Sequence, residues 1–288
     1  MPSEALATVE WRTLTTLSRR ETFLELVLPL PWLTISLLFA VTDWWPLALP
    51  ASFVFFNAGL RVVHGAYHRT IGLSSAACHA VMFVLSILML GSMHAVRHNH
   101  LVHHRHCHGD DDIEGSCARR SLLGAILYGP VFPLRMHWHA LRRGTPHERV
   151  WIVVELFANA ALITVAFGVT VFPESAHAAL RYHVCAMLAG QCLAAFFCVW
   201  TVHHDCPSEG AIARTIRDRV GSFMTLAMFY HVEHHLFPAV PTAHLPQLAR
   251  RIDAVAPDLT RLRVYERNAA QSTSEAPVTN PLAPSAGH

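Results

Sequence analysis

The chain has 288 residues, 52% of them hydrophobic and only 15% charged, where a soluble domain carries about 25% charged residues. So little charge excludes an ordinary water-facing surface and indicates that much of the exterior meets lipid. The formal net charge of +2 leaves no electrostatic footprint for nucleic acid.

Every basic side chain is Arg, a composition bias with no functional reading. The seven Cys residues form no CxxC pair and no disulfide framework, so they read as reduced, small apolar side chains. Histidine is the anomaly. There are 22, strongly clustered, and imidazole is the commonest side-chain metal ligand.

In chain order, a polar segment over residues 1–21 carries Arg12, Arg19 and Arg20 and lacks the pattern of a cleaved signal peptide. Four apolar segments follow that are long enough to span a bilayer: Thr22–Val41, Pro46–Val63, Val150–Phe172 and Tyr182–Val202. Pro29 and Pro31 are expected to disturb the first, and Glu155 is a charge inside the third that needs a protein partner. A fifth apolar stretch, Gly72–Met93, connects two histidine clusters. If both clusters build one site, the stretch must begin and end on the same face, so it is predicted to be re-entrant or interfacial. Ser121–Phe132, broken by Gly129 and Pro130, reads as interfacial as well.

Between the spans, the proposed outer loops hold a single arginine, Arg181, at a helix boundary. The opposite side holds Arg119, Arg120, Arg142, Arg143, Arg214, Arg217, Arg219, Arg250 and Arg251. The positive-inside rule then puts that side, with every histidine cluster, in the cytoplasm. Residues 267–288, rich in Ala, Ser, Pro and Thr, are predicted to be a disordered tail. The expected fold is thus all-α and integral to the membrane, with about four spanning helices. Re-entrant or interfacial helices and a cytoplasmic helical cap carrying the histidines complete it, within a membrane domain over residues 22–266.

The first cluster is His64-Gly-Ala-Tyr-His68, an HxxxH pair on one helix face. The second runs from His94 to His108 and contains His100, His103 and His104 as HxxHH. The third, His231-Val-Glu233-His234-His235, repeats that spacing. A lone HxxxH is weak evidence, and a histidine-rich loop can bind metal adventitiously. Three clusters, each following an apolar helix and emerging on one membrane face, are hard to obtain from composition. His203, His204 and Asp205 end the fourth span on the same face. Eight or nine imidazoles exceed the three or four protein ligands of one zinc site and suffice for two metals, although imidazole alone does not select the metal.

At these residues the sequence resembles the membrane fatty acid desaturase family, over roughly Leu60 to Asp253. The HxxxH, HxxHH and HxxHH boxes stand in the family's order, and the continuation EHHLFPAVPTAHLPQLARRID is very like its bacterial members. The resemblance implies two iron ions (Fe2+) held by His64, His68, His100, His103, His104, His231, His234 and His235. It implies a further ligand before the third box, for which His204 is favoured over His203. His203, Asp205 and Glu233 are then outer partners or alternative ligands, since carboxylates commonly accept the remaining N–H of a metal-bound imidazole. Asp110, Asp111, Asp112 and Glu114 are further adjacent carboxylates, each more ordinarily a solvated charge. The resemblance also implies dioxygen as oxidant and an acyl-chain lipid as substrate. External electrons would come from a separate electron-transfer protein of ferredoxin or rubredoxin type. Removing two hydrogens gives a double bond, whereas oxygen rebound gives an alcohol.

Two other readings compete. A di-iron hydroxylase or ketolase acting on fatty acids, alkanes or carotenoids shares the boxes and differs in its product. A histidine-rich metal transporter needs ionisable groups near the bilayer midplane, and apart from Glu155 the spans have few.

Overall fold

A computed structural model of the chain describes residues 2–168, 173–206 and 212–257, omitting side-chain detail at residues 2 and 3. The end of the third expected span and the expected tail over residues 267–288 lie outside these. Among the described residues every regular element is helical.

The first span is two helices, α2 (Arg19–Val27) and α3 (Leu30–Val41), after a short α1 (Pro2–Ala7). Ser18 starts α2 through a capping box with Glu21, and the break before α3 falls at Pro29. α4 (Trp45–Tyr67) returns across the bilayer beside α3. α5 (Ser75–Met89) then meets α6 (Met93–His106) at a bend of 111°. This bend makes Gly72–Met93 a broken excursion that turns back instead of continuing. α7 (Leu122–Tyr128) and α8 (Val131–Arg143) expose Leu122, Leu123, Leu127 and Leu134, as interfacial helices do. α9 (Pro146–Gly168) and α10 (Glu174–Ala194) complete the bundle, α10 continuing through a π turn at Ala195–Trp200 into α11 (Thr201–His203). Among the described residues four helical stretches are long and apolar enough to cross a membrane, and the chain is an all-α integral membrane protein.

Apolar surface gains nothing by leaving lipid for another helix, so polar contacts matter inside the bundle. Ser52 joins α3, α4 and α10 through Ser36 Oγ at 2.6 Å and Tyr182 OH at 2.8 Å. The end of α5 leaves carbonyls that no helical N–H reaches. From α10, His183 reaches the carbonyl of Leu88 and Gln191 donates to that of Met89, each at 2.8 Å. Gly129 is required by close approach: a Cβ there would stand 1.9 Å from the carbonyl oxygen of Cys192.

The remaining helices form a cap at one end. They are α12 (Arg219–Met224), α13 (His231–Leu236) and α14 (Leu245–Val255). Leu245, Leu248 and Ile252 make a helical stripe on α14, buried against Val232 and Leu236 of α13 and against Leu6, Val9 and Leu14 of the N-terminal segment. Burying each such side chain from water is worth about 1.5–3 kcal/mol. That packing helps to fix α13 at a defined height over the bundle.

Candidate metal centre

The sequence reading brings all three boxes to one site, and the structure does collect them. α4 ends with His64 and His68, α6 carries His100, His103 and His104, α11 ends with His203, and α13 holds His231, His234 and His235. Their ring nitrogens gather in two groups. His64, His68, His100, His104 and His234 form one, and His103, His203, His231 and His235 the other, with all donor atoms of a group within 4.8 Å of one another.

The two HxxHH boxes each contribute to both groups. Successive helix residues are rotated by about 100°, so positions i and i+4 nearly align while i+3 diverges from i+4. His100 and His104 accordingly enter the first group and His103 the second. In the third box His231 and His235 enter the second group and His234 the first.

Within the groups, Nε2 atoms stand at contact distances: His68 to His100 at 3.0 Å, His104 to His100 at 3.1 Å and His234 to His104 at 2.9 Å. In the second group His203 lies 3.1 Å from His103 and 2.8 Å from His231, with His235 3.1 Å from His231. Nitrogens 2.0–2.1 Å from one metal and at right angles lie about 2.9 Å apart, which is this spacing.

The opposite ring nitrogens decide what these contacts are. His103 Nδ1 is 2.8 Å from Asp112 Oδ2, His100 Nδ1 is 3.0 Å from Glu114 Oε1, and His203 Nδ1 is 2.8 Å from the carbonyl of Ile212. Each of these oxygens accepts a hydrogen bond from Nδ1–H, which in the neutral ring leaves a lone pair on Nε2. In their neutral forms His103 and His203 would aim two lone pairs at each other, a contact that a shared cation makes favourable and that otherwise needs a proton on one of the two rings. The donor set fits metal.

In α13, burial first and neighbouring imidazole charge second push His231, His234 and His235 well below the ordinary histidine pKa. Neutral imidazole is the ligating form. Burial alone would raise Asp112, but its hydrogen bond and charge interaction with His103, with the N–H groups of Gly115 and His108, bring it down to about 2.

Three expectations are corrected. His203, not His204, stands in the second group. His203 is 2% exposed, whereas His204 stacks on Trp200 at 4.2 Å and turns Nδ1 toward the carbonyl of Ala118. The π turn just before them is the cause: its i→i+5 bonding inserts an extra residue and rotates everything downstream by about one position. Asp205 does not touch either group; its exposed side chain faces His204 at 3.3 Å and Arg214 at 3.5 Å. Glu233 lies within the third box yet points away, accepting from Thr215 Oγ1 at 2.7 Å and Arg217 Nε at 2.7 Å. Arg217 also binds Asp253, so Glu233 ties α13 to α14.

The carboxylates that do meet the imidazoles, Asp112 and Glu114, belong to the acidic run directly after α6. The signal was the run itself: a tight return after a histidine helix brings acids back along it. His108 reverses the chain there with a positive φ of 65°.

Beside the groups lies a mostly apolar cavity of about 90 Å³ whose walls include His64, His100, His231, Leu60, Val96 and Phe229. A second, of about 70 Å³, shares Leu60, Val96, Glu114 and Cys198 as a common wall and continues toward Phe132 and Gln191. Residues of both metal-fitting groups, His64 and His100 of the first and His231 of the second, thus border apolar space inside the bundle.

A search of the curated proteins gives no match to this chain. The family model for fatty acid desaturases matches residues 42–266, most of the chain and all of the histidine boxes. With its membrane helices and metal-fitting imidazoles, the chain is an oxidoreductase and a member of the fatty acid desaturase family.

Proposed function

We propose that the protein is an oxygen-dependent fatty-acyl desaturase that introduces a double bond into a membrane lipid chain. The observation that carries this reading is the pair of imidazole groups opening onto an apolar cavity lined by His64, His100 and His231. One iron would be held by His64, His68, His100, His104 and His234, and a second by His103, His203, His231 and His235. Bound there, the irons would supply the activation of dioxygen that removing hydrogen from an unactivated methylene requires.

The chain's own residues do the rest. Asp112 and Glu114 hold His103 and His100 in one tautomer and one orientation. Leu60, Val96 and Phe229 offer an acyl chain contacts without competing hydrogen bonds and keep bulk water from the reacting carbons. Overall, one saturated C–C unit, one dioxygen, two electrons and two protons give one double bond and two waters. The electrons come from a separate ferredoxin- or rubredoxin-type protein. The arginine-rich side, with the histidine groups, faces the cytoplasm of a bacterial inner membrane.

The test is expression in a bacterial host with a ferredoxin and its reductase, followed by mass spectrometry of cellular lipids beside a His234→Ala variant. A lipid lacking two hydrogens, formed only with the intact protein, is the expected result. A lipid that has gained one oxygen instead would replace this reading with that of a hydroxylase.

A further inference from the structure

Cys107 follows α6 and is one turn beyond His103, with Sγ 3.9 Å from His103 Nε2. On its other side, Cys107, His108 and His203 form a set whose donor atoms lie within 4.8 Å of one another, and His103, Cys107 and Asp112 form another. Sγ is 3.7 Å from the carbonyl of Ile212, which also receives His203 Nδ1 at 2.8 Å and His108 Nε2 at 3.2 Å. Three potential donors thus converge on one oxygen that has two lone pairs. Neither Cys107 nor His108 takes part in the nine-imidazole arrangement.

We propose that Cys107, with His108 and with the shared residues His103 and His203, forms an alternative thiolate-bearing site for a soft divalent cation of the zinc class, occupied at the expense of the second imidazole group. Thiolate ligands select zinc-class ions over hard ones. A tetrahedral zinc puts sulfur and nitrogen ligands about 3.5 Å apart, so the Sγ to His103 separation needs a movement of only a few tenths of an ångström. Because His103 and His203 belong to both sets, the two occupations exclude each other. The proposal goes beyond the desaturase reading: it needs the side-chain arrangement, not the reaction.

The metal-stripped full-length protein in detergent is titrated with cobalt(II), whose thiolate complexes absorb in the near ultraviolet while imidazole complexes show only weak visible bands. The intact chain is expected to develop the thiolate band. Cys107→Ser should lose it while keeping the visible bands that report a folded, metal-binding protein, and Cys206→Ser should retain it. A spectrum unchanged by Cys107→Ser, or one without a thiolate band in the intact chain, would overturn the site. Sharing is tested by preloading zinc and then measuring iron uptake. Iron per chain should fall by about half relative to zinc-free protein, with the fall absent in Cys107→Ser. Undiminished iron uptake by the zinc-loaded intact chain would overturn the exclusion. An inability to take up two irons without zinc would instead count against the proposed iron assignment, and the cobalt band would still decide the thiolate site.

Discussion

Two histidine-rich regions of this protein make opposite uses of the same side chain. At the metal-fitting groups, imidazole nitrogens face one another, and only the far nitrogens meet carboxylates or carbonyls. At the start of α6, His94 is equally buried, yet both of its nitrogens are engaged. Nδ1 is 2.7 Å from Glu155 Oε1 and Nε2 is 2.8 Å from His79 Nδ1, with Trp151 stacked on the ring at 4.8 Å. Glu155 also accepts from Ser92 Oγ at 2.5 Å and from the backbone N–H of His94 at 3.2 Å. Its carboxylate therefore caps the first turn of α6, where free N–H groups and the positive end of the helix dipole favour an anion. The charge that looks awkward in the α9 sequence is what anchors the helix carrying the second box. A buried histidine is a ligand candidate where several imidazole nitrogens converge, as in the two groups, and a structural residue where, like His94, it meets one carboxylate and one neighbouring ring.

That contrast can be broken most sharply at His203. His203→Ala should abolish product and lower bound iron by about half, whereas His204→Ala should keep both within about twofold, read by lipid mass spectrometry and metal analysis. Equal losses in the two variants would void the assignment of His203. One step weaker, Asp112→Asn keeps the shape but exchanges the acceptor of the His103 Nδ1 proton for an amide. A loss of about 10–100-fold in turnover or metal affinity is expected, with Glu114→Gln in the same range.

Glu155→Leu tests the other region. Removing one partner of a buried pair costs about 3–5 kcal/mol, so the melting temperature should fall steeply while the folded fraction still binds its full metal complement. Loss of metal without loss of stability would move Glu155 and His94 into the metal centre. The smallest effect is expected at Asp205, whose exposed pairing with Arg214 is worth less than about 1 kcal/mol. Asp205→Asn should leave both stability and turnover near those of the intact chain.

Much was legible before any coordinates. Spacing of three and four residues puts imidazoles on one helix face in isolation, because the helical repeat is local. Runs of about 20 apolar residues give the spans, since bilayer thickness sets their length. Proline at position 29 predicted the break between α2 and α3, and the need for the boxes to share one membrane face predicted the turn-back after α5. Family membership followed from the same three boxes.

Other features depended on how the helices meet. Helical periodicity pairs positions i and i+4 of each HxxHH, but which pair of one box meets which histidines of the others is set by the direction from which α4, α11 and α13 approach α6, an angle that no local pattern encodes. The resemblance favoured the second of two adjacent histidines, whereas the helix that leaves the π turn presents His203 to the second group and turns His204 toward Trp200 and Ala118. Glu233 sits inside a box yet serves Arg217, while Asp112 and Glu114, outside every box, orient the imidazoles; chain folding after α6 decides this. Sequence thus determined which residue types gather at the membrane surface, because helix periodicity and bilayer thickness act along the chain. Only tertiary structure decided which nitrogens face each other, because that depends on helix rotation and approach, where a shift of one residue turns a side chain by about 100°.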